Sequence, residues 1–385
     1  MQIFTVGGAV RDELLGLTVQ DRDYVVVGAT PAEMLAQGFK PVGKDFPVFL
    51  HPKTHAEYAL ARTERKSGHG YRGFAFDAAS EVTLEEDLAR RDLTINAIAR
   101  ADDGTLTDPF HGVADLTAHV LRHVGPAFVE DPVRILRVAR FAARFFDFSI
   151  APETIALMRE MVASGEIDHL VAERVWQEFA RGLMEEKPSR MLAVLDECGA
   201  LARLLPEVDG GENVGLALDE AARRGHELAI RYAVLLHDPG PAAFDAALQA
   251  EQVARKVKRV NAVCARLKAP ADCRDLALLV ARYEADIWHG AQLSAASLAK
   301  LLETTDALRR PQRFEQLLAA SACIHYAEGA ARAAAASELF LRALAAVRAV
   351  DAATIARASN DASQIAQRVH TARVAAVKAA LTLTE

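Results

Sequence analysis

A pair of glycines between a short apolar run and a helical pattern constrains this chain more than any other feature. Residues 3–6 suit a strand, and Gly7 and Gly8 end it without side chains. A helical pattern then runs to Gly16. Three features of this segment favour anions: the free backbone N–H groups of the turn, the positive end of the helix and the Arg11 guanidinium. The segment therefore predicts a phosphate-binding loop.

Two aspartates follow at alternate positions where the next apolar run, residues 24–27, begins. Side chains alternate along a strand, so a strand extended back through these residues places Asp21 and Asp23 on one face, about 7 Å apart, and Arg22 on the other. Paired carboxylates favour Mg²⁺, which prefers hard oxygen ligands and keeps substrate phosphates in its shell. The pattern predicts a two-metal site for phosphoryl or nucleotidyl transfer; the alternative is a glycine turn beside two solvated aspartates.

Composition restricts the class of protein. With 385 residues, 51% hydrophobic and 25% charged, the chain is expected to fold into two or three domains. We find no apolar run of about 18 residues and no basic-then-apolar leader, so we expect a cytoplasmic protein without a membrane partner. The four scattered cysteines indicate neither a zinc site nor a disulfide framework. Because the net charge is −7, any nucleic-acid site must be a local basic surface.

Local signals outline the first hundred residues. Capping boxes at Thr30 and Thr83, each with glutamate three residues later, predict two helices. Apolar runs at residues 47–51 and 56–61 predict strands of a mixed sheet, and residues 98–106 predict a hairpin around Asp-Gly.

Residues 62–73 are basic and glycine-rich without apolar periodicity, which predicts a loop. It is either a disordered surface loop or an arm over the nucleotide site. Glu64 within it is a candidate third carboxylate near the metal.

Arginines dominate one face of a later predicted helix, which Asp131 and Pro132 begin. At about 100° per residue, four arginines fall within a face roughly 120° wide and apolar residues take the other side. The four are Arg134, Arg137, Arg140 and Arg144. The alternatives are a solvated charged face or recognition of phosphate and planar groups, and the use of arginine without lysine favours recognition.

Five motifs occur here in the order found in bacterial tRNA nucleotidyltransferases, the CCA-adding enzymes of the polymerase-β-like superfamily, which the chain resembles over about residues 1–205. The motifs are Gly-Gly-x-x-Arg-Asp at residues 7–12, Asp-x-Asp at 21–23, Arg-Arg-Asp-x-x-x-Asn-Ala at 90–97, Glu-Asp-x-x-Arg at 130–134 and Glu-Arg-Val-Trp at 173–176. From its local pattern alone, the third would be an amphipathic helix.

The resemblance implies an α+β fold, with a polymerase-β-like nucleotidyltransferase head of mixed sheet and helices followed by an all-α neck, body and tail. The implied domains are a catalytic head at residues 1–115, a helical neck and body at 116–205, a helical domain at 206–328 that resembles a degenerate HD domain, and an alanine-rich helical tail at 329–385.

The resemblance also implies the reaction, in which a tRNA 3′-hydroxyl attacks the α-phosphate of CTP twice and then that of ATP. Asp21 and Asp23 would hold Mg²⁺, and Asp131 and Arg134 would read the edge of cytosine or adenine without a nucleic-acid template. The other residues implied to hold the nucleotide are Gly8, Arg11, Arg91, Arg137 and Arg140. The helical body would recognise the tRNA acceptor arm by shape and phosphates.

His237 and Asp238 resemble the dyad of metal-dependent phosphohydrolases. No histidine lies between His237 and His289, and a dyad alone supplies fewer ligands than a transition metal normally takes. We interpret the domain as one that has lost its hydrolase site; the local alternative is a core histidine beside a helix-capping aspartate.

Three rival functions remain. A bacterial poly(A) polymerase shares the head motifs but tends to carry basic terminal extensions, which we do not see here. A split enzyme would add only the C residues or only the terminal A, and the loop at residues 62–73 argues against loss of A addition. A catalytically inactive RNA-binding or scaffolding protein is disfavoured by the intact Asp21 and Asp23. The oligomeric state is left open.

Overall fold

The computed structural model describes residues 1–42, 48–66, 74–77, 81–208, 211–238, 246–359 and 361–382. The chain divides into two compact units. Unit 1 consists of Met1–Gly182 and Arg190–Leu204, and unit 2 of Leu183–Ser189 and Leu205–Glu385. None of the helices in the described ranges is both long and apolar enough to span a membrane.

Unit 1 begins with a mixed sheet and its helices. The elements are β1 (Gln2–Val6), α1 (Gly8–Leu14), β2 (Asp23–Val27), α2 (Pro31–Ala36), β3 (Lys40–Val42), β4 (Val48–Leu50), β5 (Glu57–Leu60), β6 (Thr63–Lys66), β7 (Phe74–Asp77), α3 (Leu84–Ala89), β8 (Ala99–Ala101) and β9 (Leu106–Thr107). Seven strands pair in the order β3-β4-β5-β2-β1-β8-β9, while β6 pairs with β7. The β2–β5 pair is parallel and the other neighbours in the seven-stranded sheet are antiparallel.

Alternation along β2 divides its side chains between two apolar clusters. Val25 packs with Leu88 of α3, whereas Val26 packs with Met34 of α2. Because the period of a strand is two, Asp23 shares the face of Val25, on which α3 lies, and Tyr24 takes the other face. There Tyr24 stacks on a tyrosine of β5 with the ring centroids 4.4 Å apart.

Short strands and helices complete unit 1 as far as the crossover to unit 2. They are α4 (Gly112–Ala118), β10 (Val120–Leu121), α5 (Val133–Arg144), β11 (Ser149–Ile150), α6 (Pro152–Ala163), α7 (Ala172–Met184), α8 (Pro188–Glu197) and α9 (Ala200–Leu204). On α5, Ile135, Leu136 and Ala139 are at most 2% exposed. The predicted apolar face of this helix is therefore confirmed.

Unit 2 is helical throughout its described residues. Its helices are α10 (Glu212–Arg223), α11 (Leu228–Leu235), α12 (Ala246–Leu267), α13 (Ala271–Trp288), α14 (Ala295–Thr304), α15 (Pro311–Ile324), α16 (Tyr326–Arg348), α17 (Ala352–Arg357) and α18 (Ile365–Thr382). The apolar helix α11 is buried and packs against α10, α13 and α15. The mixed sheet followed by helices confirms the predicted α+β class.

The expected helix at residues 90–97 is wrong. Helix α3 ends at Ala89, and only a 3₁₀ turn, Thr94–Asn96, follows. The Asp92 carboxylate accepts the Leu93 N–H at 2.8 Å, and the Thr94 N–H donates to the Arg122 carbonyl. A short acidic side chain bonded to a local backbone N–H competes with helical hydrogen bonds.

Two further differences concern strands. β2 begins at Asp23, so Asp21 precedes the strand instead of belonging to it. Residues 63–66 form β6, paired with β7, where a loop was predicted. Residues 67–73, the rest of that predicted loop, lie outside the described residues.

Candidate active site

One cavity in unit 1, with a volume of about 620 Å³, is lined by nine residues that were predicted to bind metal or nucleotide. Those residues are Gly8, Arg11, Asp21, Asp23, Arg91, Asp131, Arg134, Arg137 and Arg140. The volume lies within the range of small-molecule sites. Nine arginines and five aspartates line the cavity, so it is locally positive although the whole chain carries a net charge of −7.

The carboxylate pair is part of the exposed wall of this cavity. Asp21 and Asp23 are exposed and line it, whereas the intervening Arg22 forms an ion pair with Glu13 at 2.5 Å. Within the described ranges, no group of three or more His, Cys, Asp or Glu side chains is arranged to hold a metal ion. Two exposed carboxylates nevertheless suit an ion that takes its remaining oxygens from substrate phosphates and water.

The glycine turn is fixed by close approach. Gly7 has a φ of 68°, and a Cβ atom there would lie 2.8 Å from Nη1 of Arg91. Its N–H donates to the Ile98 carbonyl at 3.2 Å. This hydrogen bond anchors the turn to the sheet. The sequence had suggested that the N–H groups of the turn are free to bind an anion, but the Gly7 N–H is already used by the protein.

Arg11 is nearly fully buried beside this turn. It donates to the Asn96 carboxamide oxygen at 2.5 Å and to Asp12 at 2.8 Å, and its guanidinium lies over the rings of Phe141 and Phe145 at 5.0 and 5.2 Å. Burial lowers the pKa of Arg11, and the Asp12 carboxylate opposes that shift. The charge is thus held rigidly by α1, α5 and the 3₁₀ turn.

Arg91 is positioned by a residue outside the predicted site. Asp87, fully buried on α3, accepts hydrogen bonds from Arg90 at 2.7 Å and from Arg91 at 3.2 Å. Burial raises the pKa of Asp87, but the two guanidinium groups lower it by a larger amount, so the net shift of the pKa is downward. Asp87 therefore remains a carboxylate that holds both arginines against the cavity wall.

Asp92 plays the same part for Arg137. Its carboxylate is 6% exposed and accepts from Arg137 Nε at 2.7 Å, from Asn96 at 2.9 Å and from the Leu93 N–H. Burial opposes ionisation, yet these donors hold the pKa of Asp92 well below its usual range. The Asp92 carboxylate in turn raises the pKa of Arg137. Asp92 belongs to the third family motif, but the family resemblance implied no role for it.

Asp131 and Arg134 both lie in the cavity wall with protein partners. Arg174 of α7 donates two hydrogen bonds to the Asp131 carboxylate, at 2.7 and 3.1 Å. Arg134 donates to the carbonyls of Ala127 and Arg90, both at 2.6 Å. Arg174 was quoted in the fifth motif but was not predicted as a site residue.

The far end of α5 is tied down in the same way. Arg140 donates to Glu178 of α7 at 2.7 Å, and Arg144 donates to Asp12 at 2.8 Å. Glu178 is 6% exposed. The predicted arginine stripe therefore faces the cavity instead of bulk solvent, and buried carboxylates of α1 and α7 fix the two side chains at this end of it.

The His237–Asp238 dyad lies in unit 2. Nδ1 of His237 is 3.9 Å from a carboxylate oxygen of Glu284, and Glu284 also accepts a short hydrogen bond from His325. Oδ2 of Asp238 lies 3.6 Å from Nη1 of Arg259. Burial lowers the pKa of His237 to about 4, which favours a neutral imidazole in a closed cluster.

Two family models match the chain. The poly A polymerase head domain matches residues 3–122, and the probable RNA and SrmB-binding site of polymerase A matches residues 147–210. Two similar curated proteins are each named multifunctional CCA protein. The one from Azoarcus sp. (strain BH72) is 60% identical over 98% of this chain and 97% of its own. The one from Dechloromonas aromatica (strain RCB) is 59% identical over the same shares.

Solved structures show the same fold. A CCA-adding enzyme in apo form II aligns with a TM-score of 0.71 at 20% identity, over 100% of this chain and 92% of that chain. The Bacillus stearothermophilus CCA-adding enzyme in complex with CTP gives 0.68 at 24% identity, over 98% and 89%. The Thermotoga maritima CCA-adding enzyme complexed with tRNA gives 0.68 at 21% identity, over 100% and 92%.

Proposed function

The chain belongs to the bacterial CCA-adding tRNA nucleotidyltransferases, and from that premise we propose that the cavity of unit 1 is the site at which C, C and A are added to the 3′ end of tRNA. CTP and ATP are the nucleotide substrates and pyrophosphate is released. Since tRNA is the acceptor, we place this activity in the cytoplasm.

One observation carries this proposal. Seven residues from four separate motifs, together with Arg137 and Arg140 of α5, line a single cavity with an excess of arginine. A nucleoside triphosphate and an RNA 3′ end are both polyanions, and a pocket of fixed guanidinium groups attracts them and holds their phosphates in defined positions.

Nucleotidyltransferases of this kind generally use a divalent metal ion, and we propose Mg²⁺ on Asp21 and Asp23. When bound, the ion would lower the pKa of the attacking hydroxyl and neutralise charge on the leaving group. The exposed carboxylate pair fits a hard cation that shares its shell with substrate oxygens.

The arginines position the nucleotide by their fixed geometry. Arg11 and Arg91, beside the glycine turn, and Arg137 and Arg140, on α5, hold the phosphates and ribose. Each is already oriented by a carboxylate or carboxamide of the protein. Such preorganisation leaves little side-chain entropy to lose when the nucleotide binds.

Base selection is assigned to Asp131 and Arg134. A carboxylate presents acceptors and a guanidinium presents donors, which together match the edge of cytosine or adenine. Because Arg174 holds Asp131 with two hydrogen bonds, we propose that this pair forms a rigid protein template in place of a nucleic-acid one.

In unit 2 we propose that the His237–Asp238 dyad has no phosphohydrolase activity. The imidazole faces Glu284 and His325 in a buried cluster, and across the described ranges no metal-ligand group of three is present. Hydrolysis of bis(p-nitrophenyl) phosphate with Mn²⁺ or Ni²⁺ should stay at the background rate.

The test is extension of a tRNA transcript that ends at the discriminator base, resolved to single nucleotides in Mg²⁺. We expect growth by two nucleotides with CTP alone and by three with CTP and ATP. Long A tails would instead identify a poly(A) polymerase, a stop after two nucleotides with both substrates a split enzyme, and no growth an inactive RNA-binding protein.

A further inference from the structure

Arg181 differs from the other arginines that line the cavity of unit 1. Eight of the nine donate to a protein acceptor, as shown above for Arg140 and Arg174. Across the described ranges no residue accepts a hydrogen bond from Arg181 or forms an ion pair with it. Arg181 nevertheless lines the same cavity, and its side chain is exposed. Its charge is therefore not neutralised by the described protein groups.

The neighbours of Arg181 on α7 define where it lies. Arg174, Glu178 and Arg181 are spaced by four and three residues, which places them on one face of the helix. Arg174 bonds Asp131 before α5, and Glu178 bonds Arg140 further along α5. Arg181 lies three residues beyond Glu178, about 4.5 Å along the axis, and is thus farther along α7 from the Asp131 contact than either Arg174 or Glu178.

We infer that Arg181 binds the β- and γ-phosphates of the incoming nucleotide and the pyrophosphate that leaves. The inference rests on the proposed function, since a nucleotide whose base meets Asp131 and Arg134 extends its triphosphate toward the opposite end of the cavity. An arginine that already has an internal carboxylate must share its donors, whereas Arg181 can direct its full fork at phosphate oxygens.

The chemistry gives this contact a role in the reaction. The 3′-hydroxyl oxygen forms a bond to the α-phosphorus and releases its proton to solvent water, while the bond from the α-phosphorus to the bridging oxygen breaks. That oxygen leaves with the electron pair on pyrophosphate. A guanidinium directed at the leaving group meets negative charge that grows in the transition state.

A phosphate of the tRNA strand offers the same chemistry, so the experiment separates the two sources. Wild-type protein is first shown to extend tRNA. KM values for CTP, ATP and tRNA and the inhibition constant of pyrophosphate are then measured for Arg181→Gln and Arg181→Lys. The matched control is Arg159→Gln, an exposed arginine on α6 paired with Glu197 outside the cavity.

For Arg181→Gln we expect KM to rise about tenfold for CTP and for ATP by the same factor, because the lost charge-assisted contact is independent of the base. The pyrophosphate inhibition constant should rise in parallel, the tRNA KM should not change, and lysine should restore part of the loss. The control should match wild type.

Two results would overturn the inference: a rise in the tRNA KM alone, which would assign Arg181 to the RNA strand, or unchanged values throughout. A binding measurement tests the contact between Arg181 and the outer phosphates even if no extension occurs. CTP should bind Arg181→Gln more weakly than wild type, while CMP, which lacks the outer phosphates, should bind both equally. Failure of wild-type extension alone would count against the proposed function and not against this contact.

Discussion

The two units place buried charge in opposite ways. In unit 1, carboxylates such as Asp87 and Asp92 hold arginines around a cavity, and these arginines still face a space of about 620 Å³. In unit 2, Glu284 and His325 bond to each other and stay buried beside His237. The first arrangement prepares a surface for a ligand, whereas the second satisfies the protein's own groups. A charged motif therefore indicates a binding site only when its partners leave part of it facing a cavity.

The largest effect that would test this contrast is expected at the exposed carboxylates. Asp21→Asn or Asp23→Asn should lower the rate of CTP incorporation by at least about a thousandfold, because a neutral carboxamide binds the cation and offsets leaving-group charge poorly. Single-turnover extension measures this rate. Asp102→Asn, at an exposed aspartate of the β8–β9 turn, serves as the control; retained activity in both site variants would refute the metal assignment.

Next in size is Asp92→Asn, which should affect both binding and folding. It removes a buried partner of Arg137 and destabilises unit 1 by about 3 kcal/mol, with a fall of roughly tenfold to a hundredfold in kcat/KM for CTP. Since the folded pKa of Asp92 is depressed, its contribution is present above the unfolded pKa and is lost as the pH falls below about 4.

Thermal unfolding from pH 7 to pH 3 and CTP kinetics on the same preparations test this prediction. Asp196→Asn, at an exposed aspartate on α8, provides the control. If Asp92→Asn lost stability without any kinetic change, Asp92 would be a structural residue like Glu284, and the contrast between the two units would fail.

The sequence predicted unit 1 well because its signals are local. Glycines before a helix, alternating aspartates and an arginine stripe each occupy one element. The residues predicted from these signals line the cavity, and so does Arg91, which was predicted through the family resemblance. Several of their partners were missed because the contacts are long-range: Arg137 meets Asp92 across 45 residues, and Asp131 meets Arg174 across 43. Spacing along one helix does not report such pairs.

Local pattern also failed where a side chain replaced a backbone partner. Residues 90–97 carry a helical pattern, but Asp92 takes the Leu93 N–H and ends that possibility. In unit 2 the sequence showed His237 without revealing that Glu284 and His325, which are 47 and 88 residues later in the chain, share its surroundings. A resemblance to family motifs supplied roles for residues, while the contacts that hold them came only from the fold.

A smaller effect, confined to stability, is expected for Glu284→Gln. The substitution weakens the hydrogen bond with His325 and leaves His237 without its nearby charge, which should lower the stability of unit 2 by about 1–3 kcal/mol. CTP and ATP incorporation should not change, because no step is assigned to this cluster. Thermal unfolding and the extension assay test both points, with Glu315→Gln at an exposed glutamate of α15 as control; impaired incorporation at a temperature where the variant is folded would connect the cluster to catalysis.

The smallest effect is a pH dependence of unit 2 in which the two histidines act in opposite directions. Burial lowers the pKa of His237 to about 4, so its contribution is present above about pH 6.5 and is lost as the pH falls toward 4. Burial also disfavours charge on His325, but hydrogen bonds to Glu284 and Glu328 raise its pKa overall. The His325 contribution is therefore complete below about pH 6.5 and is lost as the pH rises through the raised value.

Melting temperatures measured from pH 5 to pH 9 test this prediction. His237→Gln should flatten the acid side of the stability profile, and His325→Gln should flatten its alkaline side. The same change on one side in both variants would mean that the pair titrates as a single unit, and the closed cluster would then have to be treated as one shared proton site.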